Sequence, residues 1–284
     1  MRRKKKIEGF FVVAWVVILL FSVWTVFPFF WGVITSFKSP GEQYTSAFLP
    51  FAQFRPSTYA WQVVLGQAEG ERTRQGLRNS VLVSSLSSLL VLFLGSFAGY
   101  ALTRFRFHRW KNRDIASWIL SNRMFPPIAV AIPFFLVMRT LRLLDTLPAI
   151  IMAHTVYNLP LAIWLMMDFF RELPEEVEEA ALIDGCSPFQ AFFRVALPLS
   201  LPGVVAVYIL CFIFSWNEFL FVVTLSYRKT MTMPVVIAGT LTVRGLDFWK
   251  VSALSLLAIA PPVILAALTS RFLIRGLTLG AIKE

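Results

Sequence analysis

Six long apolar runs constrain this chain more than any other feature of its sequence. A bilayer core about 30 Å thick needs roughly 20 apolar residues per helical span, and each run is at least that long. In lipid, backbone polar groups must bond internally, which a helix achieves within one segment. The sequence therefore predicts an all-α integral membrane protein with six transmembrane helices. The predicted spans lie near residues 10–36, 80–103, 115–138, 147–170, 201–225 and 251–274.

The distribution of Lys and Arg predicts which loops face the cytoplasm. The net charge is +11, but the basic residues gather at the ends of the apolar runs rather than in one patch. We therefore expect a lipid bilayer as partner and no nucleic acid. The densest basic clusters precede the first span and fill 104–114, which the positive-inside rule places in the cytoplasm together with 171–200. The loops 37–79, 139–146 and 226–250 are then outside, and both termini are cytoplasmic.

These spans set the expected domain boundaries. The first apolar run is longer than the roughly 7–15 residues of a signal-peptide core, and no small-residue cleavage site follows it, so we expect it to be retained. Cys186 and Cys211 fall in a predicted cytoplasmic loop and inside a span, where no extracellular disulfide forms. The expected segments are a basic N-terminus at 1–9, a first transmembrane helix at 10–36, an extracytoplasmic loop at 37–79, a five-helix core at 80–274 and a cytoplasmic tail at 275–284.

Several kinds of chemistry are missing from the sequence. It contains no G-x-x-x-x-G-K-[ST] phosphate loop, so ATP must be bound by another subunit if ATP drives the protein. An integral membrane enzyme would need a cluster of His and carboxylates, whereas His108 and His154 are the only histidines and lie on different elements. We therefore expect no catalytic residues, no metal site and no cofactor in this chain.

The loop at 171–200 predicts two short helices joined by a tight turn. Pro174 suits a helix start, and the four glutamates after it are favoured by the positive end of the helix dipole. Gly185 can take the positive φ that ends a helix, and Ser187 with Pro188 forms the next N-cap and first turn. One face of the first helix, with its small alanines, is suited to docking, although an acidic connector exposed to solvent would show the same periodicity. That face carries Val177, Ala180, Ala181 and Asp184.

The same loop resembles a motif of permease subunits in ATP-binding-cassette (ABC) importers. The motif is EAA, three residues, Gly, nine residues, Ile, any residue and Leu-Pro, and the chain departs from it only in having Val195 at the isoleucine position. The resemblance implies that the loop inserts into a cleft of an ATP-binding subunit and passes its closure to the spans. The implied coupling residues are Glu179, Ala180, Ala181, Asp184, Gly185, Leu197 and Pro198.

The resemblance extends along most of the chain and is nearest to the smaller permease of maltose-type carbohydrate importers. SNRMFPP, LLDTLPAI, FSWNEFLF and the terminal RGLTLGAIKE are similar to segments of that branch, although the branch often ends with other residues than Ile282 and Glu284. This implies a type I importer transmembrane domain in the bacterial cytoplasmic (inner) membrane. The implied partners are a second permease, two ATP-binding subunits that hold ATP and Mg, and an extracytoplasmic substrate-binding protein.

The cargo implied by this resemblance is a sugar or polyol. The loop near 230–250 is similar to the one that probes the sugar-binding protein in maltose-type systems, and its candidate contacts are Thr232, Pro234 and Gly239. An ordinary surface connector explains the same loop equally well. Glycerol 3-phosphate is an alternative cargo, because similar permeases serve it. An ion-driven secondary transporter is a further alternative, but it leaves the EAA loop unexplained.

Polar residues inside the predicted spans are candidates for the translocation path. Buried charge in a bilayer is costly and usually faces a bundle interior or a watery cavity. The same side chains can instead join helices through hydrogen bonds, and the sequence leaves both roles open. The candidates are Asn122, Arg123, His154, Asn158, Asn217 and Glu218.

Overall fold

The computed structural model describes residues 2–66, 69–242 and 245–279. The described part is built of helices, with one pair of two-residue antiparallel strands. The first helices are α1 (Arg2–Ser36), α2 (Tyr59–Leu65), α3 (Gly70–Arg104), α4 (Asn112–Ser121), α5 (Pro127–Thr140), α6 (Leu147–Arg171), α7 (Glu175–Ile183) and α8 (Pro188–Ala191). Then come a π-helical segment (Phe192–Ala196), α9 (Leu197–Leu199), α10 (Leu201–Trp216), α11 (Leu220–Leu225), α12 (Met233–Ala238), β1 (Leu241–Thr242), β2 (Gly245–Leu246) and α13 (Phe248–Leu279).

The predicted all-α membrane fold is confirmed. In the described residues, α1, α3, α6 and α13 are each long and apolar enough to cross a bilayer. Two further spans are completed by bent helix pairs, which gives up to six crossings. Helix α3 begins at Gly70, ten residues before the predicted span, because the polar turns ahead of the apolar run are also helical.

Two spans that the sequence pattern predicts as single helices are divided, the first of them at prolines. Near 115–138, the helical stretch Asn112–Met124 meets α5 at an angle of 90°, and Pro126 and Pro127 stand at the N-cap and first position of α5. Before the fifth span, the helical stretch Pro188–Leu199 meets α10 at 78°. The predicted span at 201–225 is also interrupted, since α10 ends at Trp216 and α11 follows separately.

The chain folds into two compact units, and the larger consists of residues 74–236 and 258–284. Within it, α3 and α6 pack so closely that a Cβ at Gly99 would lie 3.0 Å from both Met166 Cβ and Met167 N. A larger residue at this position would require the two helices to move apart slightly. Buried Met166 and Phe170 then pack with Phe192 and other apolar side chains, which joins the α3–α6 pair to the segment after α8.

The smaller unit consists of residues 1–73 and 237–257. Beyond the end of α1, the ammonium of Lys38 is fully buried, lies 4.6 Å from the Trp31 ring centroid and donates to the Thr45 carbonyl at 2.7 Å. Burial lowers the pKa of Lys38, an effect that the carboxylate of Glu42 opposes. Lys250 and Glu69 form an ion pair at 2.6 Å within the same unit.

Candidate functional site

The two helices predicted in the loop at 171–200 are confirmed as α7 and α8. Helix α7 follows Pro174 directly, and the chain leaves it through Gly185, whose φ is +88°. Ser187 then caps α8 in a reciprocal arrangement, in which its hydroxyl accepts from Gln190 N and the Gln190 side chain accepts from Ser187 N. The turn between the helices is therefore fixed by local backbone chemistry.

The predicted docking face of α7 is open. Val177 is 43% exposed, Ala180 and Asp184 are exposed, and Ala181 is half-buried. Glu179 is also exposed. A continuous surface with two alanine methyl groups at its centre is thus available to another protein.

Glu178, the neighbour of the exposed Glu179, is buried and hydrogen-bonded. Its residue is only 6% exposed, and its Oε1 accepts from Arg104 Nε at 2.9 Å and Nη2 at 2.7 Å. Its Oε2 accepts from the Tyr100 hydroxyl at 2.6 Å. Tyr100 and Arg104 both belong to the last turns of α3, so this buried carboxylate joins α7 to a transmembrane helix.

Sequence reasoning missed this anchor. Glu178 is one of four glutamates in α7, and the motif draws attention to Glu179 instead. Its partners lie 74 and 78 residues earlier in the chain. The one available signal was Arg104, a charged residue at the end of an apolar run, but the sequence does not indicate which carboxylate pairs with this arginine.

Helix α8 and the π-helical segment are fixed to α3 by aromatic side chains. The Phe97 ring centroid lies 4.9 Å from that of Phe192 and 5.7 Å from that of Phe193. Of the remaining predicted coupling residues, Leu197 is half-buried and packs against this cluster, whereas Pro198 is exposed. Helix α7 is therefore connected to α3 by charged groups, and the segment that follows α8 is connected to α3 by aromatic rings.

Arg123 lies at the bend between α4 and α5 and contacts α6. Its Nη1 donates to the Tyr157 carbonyl at 3.2 Å and to Asn158 Oδ1 at 3.4 Å. Its guanidinium carbon lies 5.0 Å from the Tyr157 ring centroid and 4.9 Å from that of Phe214. Among the described residues no carboxylate pairs with it, so two aromatic faces and two oxygens stabilise this cation.

A second polar group joins α3, α6 and α10. The fully buried His154 shares a hydrogen bond of 2.7 Å between its Nδ1 and Ser215 Oγ, which in turn lies 2.9 Å from Ser87 Oγ. His154 Nε2 is 3.2 Å from Glu218 Oε2, although it is not aligned for a hydrogen bond. The Glu218 carboxylate also accepts from Phe221 N at 3.0 Å and so caps α11.

Direct contacts join four of the six path candidates. Arg123 with Asn158 and His154 with Glu218 are brought together as two pairs. Asn122 and Asn217 are exposed, and each amide donates to a carbonyl one helical turn earlier, at 2.8 Å. The contacts of the two pairs are those of groups that hold helices together.

The candidate binding-protein contacts differ in accessibility. Thr232 is 2% exposed and Pro234 is half-buried in the larger unit, while Gly239 is exposed in the smaller one. The Met233 N–H beside Thr232 donates to Ser80 Oγ of α3 at 2.8 Å. The start of α12 is thus attached to the N-terminal half of α3.

A single carboxylate holds the chain just before α12. Asp145, in the turn between α5 and α6, accepts from the backbone N–H groups of 227–230 at 3.0–3.3 Å and from the Thr230 hydroxyl at 3.0 Å. Burial by itself would raise the pKa of Asp145, but the N–H groups of Lys229, Arg228 and Tyr227 and the Thr230 hydroxyl outweigh it and hold that pKa below its ordinary value.

Comparison with known proteins agrees with the multi-span helical fold. Residues 91–277 match the family described as binding-protein-dependent transport system inner membrane component. The chain belongs to this family of membrane-embedded transport components. It is 34% identical over 266 residues to the inner membrane ABC transporter permease protein YcjP of Escherichia coli K12, covering 93% of each chain.

Two further relatives extend this comparison. The trehalose/maltose transport system permease protein MalG of Thermococcus litoralis is 31% identical over 268 residues, which cover 93% of this chain and 94% of the relative. A solved bacterial ABC transporter involved in import of the acidic polysaccharide alginate matches with a TM-score of 0.75 and 23% identity, covering 94% of this chain and 97% of that one. The structural match shows the same fold, that of an ABC importer transmembrane domain.

Proposed function

We propose that this chain is the permease subunit of a sugar or polyol importer and couples to an ATP-binding subunit through α7 and α8. The observation that carries the proposal is the contrast on α7 between the exposed face around Ala180 and the buried anchor Glu178. A docking surface must be accessible, and it must also be attached firmly to the spans, or movement of the partner would be absorbed locally. The sugar class is supported by the trehalose/maltose permease among its relatives.

The proposed assembly contains a second permease, two ATP-binding subunits and an extracytoplasmic binding protein. In it, α7 and α8 face the cytoplasm together with both termini, and the turns beside Asp145 face outside. Residues 280–284 of the proposed cytoplasmic tail lie outside the described residues. No ATP or Mg is bound by this subunit in the proposal, because the partner ATPase supplies both.

The path through the subunit is proposed to run beside the polar residues of α6 and those that directly follow α4 and α10. Asn122 and Asn217 fit contact with a polyhydroxylated cargo best, since their exposed amides keep further hydrogen-bonding capacity. Arg123 is the one candidate that suits an anionic cargo such as glycerol 3-phosphate. Its two ring contacts and two hydrogen bonds favour an internal role instead.

Substrate uptake into membrane vesicles tests the proposal. Vesicles containing the complete importer should take up a radiolabelled sugar or polyol only with ATP inside and a binding protein outside, and a panel of binding proteins identifies the one that stimulates ATP hydrolysis. Uptake driven by an imposed ion gradient without ATP would contradict the proposal and favour a secondary transporter. Uptake of glycerol 3-phosphate alone would leave the coupling intact and change the cargo.

A further inference from the structure

The turn 227–229, directly after α11, exposes three successive side chains. Tyr227 is 57% exposed, and Arg228 and Lys229 are exposed beside it. The residues on either side, Ser226 and Thr230, are buried at 7% and 4% exposure. The chain thus rises to the surface for three residues and then returns to the interior.

Asp145 holds the backbone of this turn through hydrogen bonds. The carboxylate accepts from the N–H groups of all three exposed residues, and Lys229 N reaches both of its oxygens, at 3.0 and 3.2 Å. Asp145 itself has a φ of +56°, and its own N–H donates to the Leu225 carbonyl at 2.8 Å. Successive N–H groups that converge on one anion form a rigid nest.

Helix α3 holds the same turn from a second side. Asn79 Nδ2 donates to the carbonyls of Lys229 and Met231, both at 3.0 Å. Gln75 Nε2 donates to the Lys229 carbonyl at 2.8 Å. With its three N–H groups and the Lys229 carbonyl occupied, the backbone of the turn is fixed while its side chains are exposed. Binding to a rigid surface avoids the entropy cost of ordering a loop.

The surroundings of the turn are basic. Exposed cations lie on α3, at and just after the end of α5, and in the turn itself. None of these cations forms an ion pair with a carboxylate of the described residues, and the acid beside them, Asp145, is occupied by backbone N–H groups. We call this surface the basic patch. It consists of exposed residues on the segments that hold or form the turn, namely Arg78 next to Asn79, Arg139 and Arg142 before Asp145, and Tyr227, Arg228 and Lys229 of the turn itself.

We infer that the basic patch, fixed in shape by Asp145, is the docking surface for an acidic face of the extracytoplasmic binding protein. This inference rests on the proposed function and adds to it the surface and its charge. It moves the contact from Thr232, which is 2% exposed, to the residues that precede it. Unpaired like charges on a prearranged backbone favour a partner of opposite charge and speed its association.

Charge reversal on the importer tests the inference. The complete importer is placed in nanodiscs of zwitterionic lipid, and the probe is the binding protein that stimulates wild-type ATP hydrolysis. Changing Arg228→Glu together with Lys229→Glu should raise the binding-protein concentration for half-maximal stimulation about tenfold at low salt, and less at high salt because salt screens exposed charges. The matched control, Arg228→Lys with Lys229→Arg, keeps both charges and should behave as wild type.

Two variants of Asp145 separate the shape of the patch from its charge. Asp145→Ala leaves every cation in place but removes the acceptor for the turn, so half-maximal stimulation should require several-fold more binding protein. Asp145→Asn keeps one carbonyl oxygen in the same position, so the binding-protein concentration for half-maximal stimulation should return most of the way to the wild-type value. A merely stabilising Asp145 would lower the amount of assembled importer without moving the half-saturation point.

The possible results are distinguishable. If the double charge reversal leaves half-saturation and its salt dependence at wild-type values, the basic patch is not the docking surface. If its effect appears only in nanodiscs with anionic lipid, the patch binds lipid headgroups and the inference is overturned. If no binding protein stimulates the wild-type importer, the proposed function itself fails, and the inference fails with it.

Discussion

Two carboxylates near opposite ends of α6 are held in different ways. Glu178, after the cytoplasmic end in the proposed orientation, is bound by the Arg104 and Tyr100 side chains of α3. Asp145, before the other end, is bound almost entirely by backbone N–H groups. The Glu178 anchor depends on two particular side chains, whereas the Asp145 anchor depends on the backbone conformation of residues 227–230. Mutation of partners should therefore break the Glu178 anchor but not the Asp145 one.

The largest expected effect on uptake concerns Glu179 and Gly185, two exposed residues in the same loop as Glu178. Glu179→Lys and Gly185→Val should each lower ATP-dependent uptake, while the amount of inserted protein stays normal. At a φ of +88°, a β-branched residue is strained by about 1–2 kcal/mol, enough for roughly a tenfold loss. No atom lies within 4 Å of a Cβ at Gly185, so the effect comes from the backbone. Gly185→Asn, which tolerates this conformation, is the control, and normal uptake by both main variants would refute the coupling role.

Removal of Glu178 itself should act on stability. Glu178→Ala leaves the Arg104 guanidinium, whose side chain is 10% exposed, without its main partner, and such a loss costs about 3–5 kcal/mol of unfolding free energy. Titration with SDS in mixed micelles measures this change. The exposed Glu176→Ala is the matched control and should change little. Replacing both partners, Arg104→Met with Glu178→Leu, should cost less than Glu178→Ala, and an equal cost would contradict a paired anchor.

A smaller effect is expected at Tyr100. Tyr100→Phe removes the 2.6 Å hydrogen bond to Glu178 Oε2 but leaves the guanidinium contacts, so unfolding free energy should fall by about 1.5–3 kcal/mol. The control is Tyr208→Phe, because the Tyr208 hydroxyl makes no hydrogen bond with any residue in the described ranges. In the Glu178→Ala background, Tyr100→Phe should have almost no further effect. Additive losses would show that the two side chains act independently.

The smallest effect is the pH dependence of the Asp145 anchor. Because the folded-state pKa of Asp145 is lowered, its ionised form stabilises the protein above the ordinary carboxyl pKa, and this contribution is lost as pH falls through the lowered value. At neutral pH, Asp145→Asn should cost about 1 kcal/mol. The difference in thermal midpoint between wild type and Asp145→Asn should vanish only in strong acid. A difference that stays constant as pH falls through the carboxyl range would show that the pKa of Asp145 is not lowered.

The sequence predicted the elements built from local signals. Apolar length identified the spans, and glycine and capping chemistry located the turn at Gly185 and the start of α8. The open face of α7 followed from helical periodicity, because residues 3 or 4 apart share one side. These features depend on neighbours in sequence, so they could be predicted without the fold.

Contacts between distant segments could not be predicted in the same way. The sequence marks Glu178 and Glu179 as similar acidic residues, but only packing against α3 separates an anchor from an exposed side chain. Asp145 was hidden for a different reason, since its partners are backbone N–H groups that carry no sequence signature. The bends at Pro126 and before Leu201 show that prolines locate a break but not its angle.

The central claim is that the face of α7 around Ala180 contacts an ATP-binding subunit, and site-specific photo-crosslinking tests it most directly. A benzophenone side chain at Ala180 in the complete importer should form a covalent adduct with the ATP-binding subunit, and its yield should change when ATP hydrolysis is trapped with vanadate. The same probe at the exposed Arg139, beyond the other end of α6, should form none. An importer that remains active in ATP-driven uptake but gives no ATPase adduct from Ala180 would contradict the account.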